Sequence, residues 1–491
     1  MSETNSSPTS TATPGGPRPV VFFNTLGRKL EPFEALEAAK VRLYTCGPTV
    51  YDHAHIGNLR TFLFEDILRR ALEYLGYEVH QVMNLTDVDD KTIRGANAAG
   101  LELDDFTAPF IEAFFADLNA LGVQPAQDYP RATRHVAEMI EMVETLLEKD
   151  FAYISEDGSV FFRIAAYQEY GALSGFDVSQ VRQGERVASD EYEKEDVRDF
   201  VLWKSAKPGE PTWDSPWGPG RPGWHIECSA MSMKYLGETF DIHCGGVDNI
   251  FPHHENEIAQ SQCTTGESFS RYWLHSEHLI VDGEKMSKSL GNFYKLADVL
   301  ERGATARAVR YLFLSVHYRQ KLNFTFQGLE AAEAALKRLD ELSFRLSHAV
   351  VEGAASEAVA EVVHQLEEDF SAALADDLNL SAALASLFGF VKAVNRLIEE
   401  GALGEGDDEK VRGALKRVDH VLGVLDADAW AADSDEAAGG FSDEQIEALL
   451  QARTEARAAK DFAESDRIRD ELLAAGIVVE DTPQGPRWKR S

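Results

Sequence analysis

Two apolar runs with a helical stretch between them confine the first part of this chain. Val41-Arg42-Leu43-Tyr44-Thr45 reads as a buried strand, and Pro48 and Gly57 punctuate the loop after it. Residues 61–75 place Phe62, Phe64, Ile67, Leu68, Ala71, Leu72 and Leu75 at helical spacing. Residues 77–83 form a second strand, ended by Asn84-Leu85-Thr86-Asp87. Strand, helix and strand in this order are the unit of a parallel sheet, because parallel strands need a long crossover. The sheet is expected to resume at Ile242 and again at Leu279-Ile280-Val281. Residues 101–217 then read as an insertion, with helices over 109–121 and 133–149, a hairpin around Asp157-Gly158 and a Pro/Gly/Trp loop over 207–222.

Two short motifs sit at strand ends of this frame. His55-Ile56-Gly57-Asn58 opens the helix after the first strand. Its imidazole, glycine backbone and amide suit the phosphates of a nucleotide at a helix N-terminus. Lys285-Met286-Ser287-Lys288-Ser289 falls in a loop after the apolar strand 279–281 and offers two ammonium groups and two hydroxyls. Either motif alone is weak, and the ordered pair is strong.

A second constellation has the chemistry of a metal site. Cys46 follows the first strand, Cys228 lies in Gly223-Trp224-His225-Ile226-Glu227-Cys228, and His253 and Glu257 lie in Phe251-Pro252-His253-His254-Glu255-Asn256-Glu257. Pro252 suits a helix start, which puts His253 and Glu257 on one face at i,i+4. Two thiolates, an imidazole and a carboxylate make a four-ligand Zn²⁺ set. Two buried small hydrophobes and a surface pair read equally well from the same spacing, and His254 with Glu257 at i,i+3 competes.

Only four cysteines in 491 residues argue against a disulfide scaffold. No apolar run approaches the ~18 residues of a membrane span. Residues 1–18 are Ser/Thr/Pro/Gly-rich without a signal-peptide core, so a disordered tail and a cytoplasmic protein are expected. The balance of 48 basic and 83 acidic residues, net −35, opposes nucleic-acid binding on its face. Either the protein binds no nucleic acid or it is adapted to high salt, where the Debye length falls to ~3 Å at 1 M. The chain-wide acidic excess, with Arg outnumbering Lys, favours a halophilic protein. Acidic clusters such as Glu193-Lys194-Glu195-Asp196 and Asp407-Asp408-Glu409 are then solvated faces.

Beyond Phe324 the pattern becomes amphipathic helices over 329–346, 356–373, 381–399 and 410–425, which predicts a bundle. An Ala/Asp/Gly-rich linker over 426–440 leads to a helical pair and a strand-like tail ending Pro486-Arg487-Trp488-Lys489-Arg490. Arg453, Arg457, Lys460, Arg467, Arg469, Arg487, Lys489 and Arg490 are expected to give a basic face, with Trp488 able to stack on a base.

The motif pair resembles the HIGH and KMSKS signatures of class I aminoacyl-tRNA synthetases, Asn58 replacing the last histidine. The segments 44–58, 223–231, 241–243 and 251–260 resemble the cysteinyl-tRNA synthetase family in particular, and the likeness continues through 314–325, 369–387 and 453–476. The resemblance implies an α/β fold, a class I Rossmann-type parallel sheet split by an insertion, then a helical bundle and a small C-terminal domain. It divides the chain into a tail 1–18, a catalytic domain 19–325 with the insertion at about 101–217, a tRNA-binding bundle 326–425, a linker 426–440 and an anticodon-binding domain 441–491. It implies one Zn²⁺ on Cys46, Cys228, His253 and Glu257. It places Thr86, Trp224 and His243 around the amino acid. His55, Gly57, Asn58, Gly245, Asp248, Lys285 and Lys288 fall at ATP, with His55, Asn58, Lys285 and Lys288 catalytic. The implied activity is cysteine–tRNA ligation by a monomer, with ATP and Mg²⁺, cysteine and tRNA(Cys) as partners and no membrane. Two other readings are a ligase of the same fold that gives cysteine to an amine on a sugar, and a zinc-stabilised RNA-binding protein without catalysis. The bundle and tail oppose the first, and the lysine loop opposes the second.

Overall fold

The computed structural model describes residues 16–175, 198–426, 443–458, 461–474, 477–482 and 485–490. The first fifteen residues of the expected tail, the acidic cluster at Glu193, nearly all of the linker and Lys460 lie outside them. The last tail residue is held: Arg18 N donates to Leu75 O at 2.9 Å.

The central sheet has four parallel strands: β1 (Lys40–Thr45), β2 (Glu78–Met83), β3 (Phe240–Gly246) and β4 (Ser270–Ser276), in the order β4-β3-β1-β2. Between them run α1 (Ile56–Tyr74), α2 (Trp224–Leu236) and α3 (Glu255–Thr265). Alternation along the strands gives the sheet two apolar faces. Val41 and Leu43 join α1 in one core, whereas Tyr44, Cys46 and Val82 join Cys228 and Leu236 of α2 in another. α1 buries Leu59, Leu63, Ile67, Leu68 and Leu72 almost completely. Each such side chain contributes roughly 1.5–3 kcal/mol. Strand order reverses between β1 and β3, so their C-terminal ends open a crevice at the switch point. Cys46 N donates to Cys244 O across it.

The structure corrects four expectations. The fourth strand is Ser270–Ser276, whose Ser-Arg-Tyr-Trp-Leu-His-Ser run lacks a clean period. Leu279–Val281 instead belongs to a separate three-stranded sheet, antiparallel to Glu284–Lys285 and parallel to Leu322–Phe324. Lys285 is therefore on a hairpin strand, not in a loop. α3 begins at Glu255, preceded by a wider-wound, π-type stretch from Ile250 to His254, so Pro252 does not start it. In the insertion, the first helix is Leu103–Ala120 with Pro109 inside it, and Ala152–Ile154, Val160–Phe162, Phe200–Ser205 and Gly220–Pro222 pair as a four-stranded antiparallel sheet.

The bundle consists of α4 (Phe326–Ser347), α5 (Glu357–Ala375), α6 (Leu380–Glu399) and α7 (Asp407–Leu422). By length and composition α6 could cross a membrane, contrary to the expectation of no such segment. Its buried residues, Leu384, Leu387, Val391 and Val394 among them, recur at helical spacing, the pattern of a helix packed within a bundle. At the C-terminal end, helices Asp443–Ala458 and Phe462–Ala474 pack with a hairpin, Ile477–Thr482 against Gly485–Arg490.

Candidate active site and metal centre

The N-terminus of α1 is built around His55. Its Nδ1 accepts from Gly57 N at 3.1 Å and Asn58 N at 3.3 Å, while Asn58 Oδ1 accepts from His55 N at 3.3 Å. This reciprocal cap satisfies amides that the helix end leaves unpaired. It also fixes the chemistry, since a neutral ring accepting at Nδ1 carries its proton on Nε2. Asn58 likewise uses its oxygen inward and keeps its amide hydrogens for other partners.

The lysine hairpin meets the same helix end. A Cβ on Gly57 would lie 3.1 Å from Met286 Cε, so glycine permits the close approach. Ile56 N donates to Tyr294 O at 2.9 Å. Asn292 braces the hairpin: its Oδ1 accepts from Ser287 N at 2.8 Å and its Nδ2 donates to Lys285 O at 3.3 Å. Lys285 is exposed, and Lys288 opens a single helical turn. At the end of β3, a side chain on Gly245 would strike His254 and Asn249, and one on Gly246 would strike the carboxylate of Asp248.

Cys46, Cys228, His253 and Glu257 converge, their ligand atoms all within 4.8 Å of one another and all buried. Cys46 Sγ lies 4.0 Å from Cys228 Sγ and 3.8 Å from Glu257 Oε1, and His253 Nε2 lies 3.0 Å from Glu257 Oε1. A tetrahedral Zn²⁺ with bonds of about 2.3 Å to sulfur has a sulfur–sulfur edge of about 3.8 Å, and with bonds of about 2.0 Å to nitrogen and oxygen an edge of about 3.3 Å. The donor set and its spacing fit the metal. Burial pushes the Cys46 thiol and the Glu257 carboxyl well up and pulls His253 well down. Burying these donors as isolated charges is costly, and a bound cation offsets that cost. His254 competes, as its spacing suggested: Cys46, His243, His254 and Glu257 also lie within 4.8 Å of one another.

Around these donors runs a set of histidines, of which only part was foreseen. His225 Nδ1 and His253 Nδ1 are 2.9 Å apart, His254 Nδ1 meets His275 Nε2 at 2.8 Å, and His275 Nδ1 meets Thr25 Oγ1 at 2.8 Å. Such contacts orient ligating rings. His243, which the resemblance puts beside the amino acid, also contacts one of the donors. It is fully buried, stacks on Trp273 at 4.4 Å and holds Glu257 Oε2 at 2.9 Å, so it braces a donor. Trp224 is 40% exposed and stacks on His253 at 4.2 Å, which leaves an indole face beside the donors. Thr86 accepts from Asn84 Nδ2 at 3.2 Å and donates to Glu227 Oε2 at 3.0 Å. Glu227 was missed. It is fully buried next to Cys228 and burial raises its carboxyl well up; a buried acid beside a metal-type cysteine was the available signal.

The expected basic C-terminal face is only partly present among the described residues. Arg453 is buried, because it continues the i, i+4, i+7 stripe of Ile446 and Leu450. Arg467 is clasped by Glu464 and Glu471 of its own helix. Trp488 packs on the small core and donates to Glu447 at 2.9 Å, so its indole serves this domain.

Residues 32–334 match the family model for the tRNA synthetases class I (C) catalytic domain, residues 369–426 the DALR domain, and residues 442–488 the cysteinyl-tRNA ligase anticodon binding domain. Methionyl-tRNA synthetase of Mycobacterium tuberculosis, solved with methionyl-adenylate, shares the fold at a TM-score of 0.57 and 16% identity, over 78% of this chain and 90% of that one. The Agrobacterium radiobacter K84 leucyl enzyme in its ternary complex with tRNA gives 0.58 at 13% identity, over 82% and 87%. Split parallel sheet, helix-capping histidine and lysine hairpin thus make this a class I aminoacyl-tRNA synthetase. The cysteine–tRNA ligase of Protochlamydia amoebophila (strain UWE25) is 47% identical over 482 residues, 96% of this chain and 98% of the relative, and that of Chlamydia pneumoniae is 49% identical over 472 residues, 95% and 98%. The chain belongs to the cysteine–tRNA ligase family.

Proposed function

We propose that this chain activates cysteine with ATP and transfers it to the 3′ end of tRNA(Cys), using a Zn²⁺ held by Cys46, Cys228, His253 and Glu257. The convergence of those four donors, two of them thiols, at the end of β1 beside a class I motif pair carries the reading. Bound there, Zn²⁺ supplies an affinity for thiolate over hydroxyl that a purely steric pocket lacks, cysteine and serine differing by one atom. His243 holds Glu257 in place. Trp224 supplies an apolar wall, and Thr86, its proton committed to Glu227, keeps a lone pair for the substrate ammonium. His55 through Nε2–H, Asn58 through its amide and the N-terminus of α1 receive the phosphates. The segment Gly245 to Asp248 receives the nucleoside.

The cysteine carboxylate attacks the α-phosphorus in line, the bond to the pyrophosphate oxygen breaks, and pyrophosphate leaves as its Mg²⁺ complex. Lys285 and Lys288 stabilise the charge that grows on it, and no covalent enzyme intermediate is formed. The helical bundle and the C-terminal domain hold the tRNA, and the enzyme works as a cytoplasmic monomer in a salt-rich interior.

Cysteine-dependent pyrophosphate exchange, repeated with serine, tests activation. Charging of total tRNA tests transfer. Exchange driven equally by serine would remove the metal-selection reading, and exchange without charging would favour a small-molecule acceptor.

A further inference from the structure

We propose that the knot of Asp66, Arg70 and Arg310 fixes the helical bundle against α1 and so positions tRNA for transfer without taking part in cysteine activation. The inference rests on the ligase reading above.

Arg310, on the helix Ala306–Leu314, has a side chain 1% exposed. Its Nη2 reaches Asp66 Oδ2 at 2.9 Å, its Nε donates to Leu422 O at 2.5 Å, and its Nη1 donates to Leu121 O at 2.8 Å and Gly122 O at 3.1 Å. Arg70 takes Asp66 from the other side, Nε to both oxygens at 2.9 Å. Its Nη1 donates to His420 O at 2.8 Å and its Nη2 to Gly122 O at 2.6 Å. Asp66 is fully buried and also accepts from Gln124 N at 2.8 Å.

Four segments meet here: α1, the end of the insertion helix Leu103–Ala120, the helix Ala306–Leu314, and the last turn of the bundle helix α7. The carbonyls taken lie at two helix C-termini, where the partial charge is negative and acceptors are left over. Two planar guanidinium forks sharing one carboxylate fix direction as well as distance. Gly423 ends α7 at φ 60°, and a Cβ there would lie 3.0 Å from the Arg310 guanidinium, so the close approach requires glycine.

The consequence follows from α1. His55 caps its N-terminus, and Asp66 lies about three turns further along the same helix. The knot therefore references α7 to the element that carries the phosphate-facing cap. Cysteine activation uses groups on the sheet ends, on α1, α2 and α3 and on the hairpin, none of them on the bundle. Transfer requires an acceptor end whose position depends on where the bundle stands.

The test uses the full-length zinc-loaded enzyme with Arg310→Lys and Arg70→Gln. Lysine keeps the charge and loses the fork, and glutamine at the partly exposed Arg70 leaves the buried pair intact. Cysteine-dependent pyrophosphate exchange is expected within about twofold of wild type in both. kcat for tRNA charging is expected to fall about 10–10²-fold, the scale of a small misplacement imposed from a distance. Exchange and charging falling together would show that the knot only maintains the fold, and charging at the wild-type rate in Arg70→Gln would overturn the proposal even if Arg310→Lys does not fold. A wild-type enzyme with no cysteine-dependent exchange would instead remove the ligase reading itself.

Discussion

Cys46, Cys228, His253 and Glu257 come from three separate stretches of chain, and each is placed by a different local cause. Cys46 is the first residue beyond β1, Cys228 faces the sheet from α2, and His253 and Glu257 stand on the wound stretch and helix after β3. Helical spacing brought the last two together even though the helix starts later than Pro252. Their distances lead to a direct expectation. Metal analysis of purified protein should give one zinc per chain, and Cys228→Ser and Glu257→Gln should both lower it. His254→Ala should leave it, because His254 belongs to the competing donor set. Zinc retained by Cys228→Ser and lost from His254→Ala would move the metal to Cys46, His243, His254 and Glu257. His225 and His275 were not legible because their roles are contacts with residues far away in sequence.

At the scale of elements, α1 shows how one residue serves two ends. His55→Ala removes both cap acceptor and outward donor, and loss of a cap costs about 0.5–2 kcal/mol. His55→Asn retains a good cap acceptor and loses the ring N–H. Melting temperature is therefore expected to stay near wild type in His55→Asn and drop in His55→Ala, with adenylate formation impaired in both. An active His55→Asn would make His55 a cap alone. A second element is pinned by charge. Asp90, in the first turn of Asp90–Ala99, pairs with Lys204 at 2.8 Å and Arg221, tying that helix to the antiparallel sheet of the insertion. Burial alone would raise its carboxyl, but Lys204 and Arg221 outweigh it and hold it down at about 2. A depressed folded value means the pair stabilises above the unfolded pKa of about 3.9 and loses its effect as pH falls from there toward 2. Wild type should thus melt above Asp90→Asn at neutral pH, and the gap should close across that window. A gap independent of pH would mean that shape rather than charge matters at Asp90.

For the whole molecule, the net charge of −35 is the largest single number. Self-repulsion on that scale is screened at molar salt, where the Debye length is about 3 Å. If the acidic surface is a salt adaptation, adding KCl from low to molar concentration should raise the melting temperature, and low salt should loosen the fold. A melting temperature that falls with KCl would end that reading. The sequence by itself determined the strand–helix–strand unit, the bundle and the motif pair at His55 and Lys285, because apolar period and short motifs are local properties. It also determined the four donor types, though not which imidazole joins them. Tertiary structure decided that Ser270–Ser276 completes the sheet and that Leu279–Val281 leaves it, since pairing depends on partners far along the chain. It decided that His243 braces Glu257 and that Arg453 is core. It also tied Asp66 to Arg70 and Arg310 across intervals of up to 244 residues, by buried hydrogen bonds that leave no period in the chain.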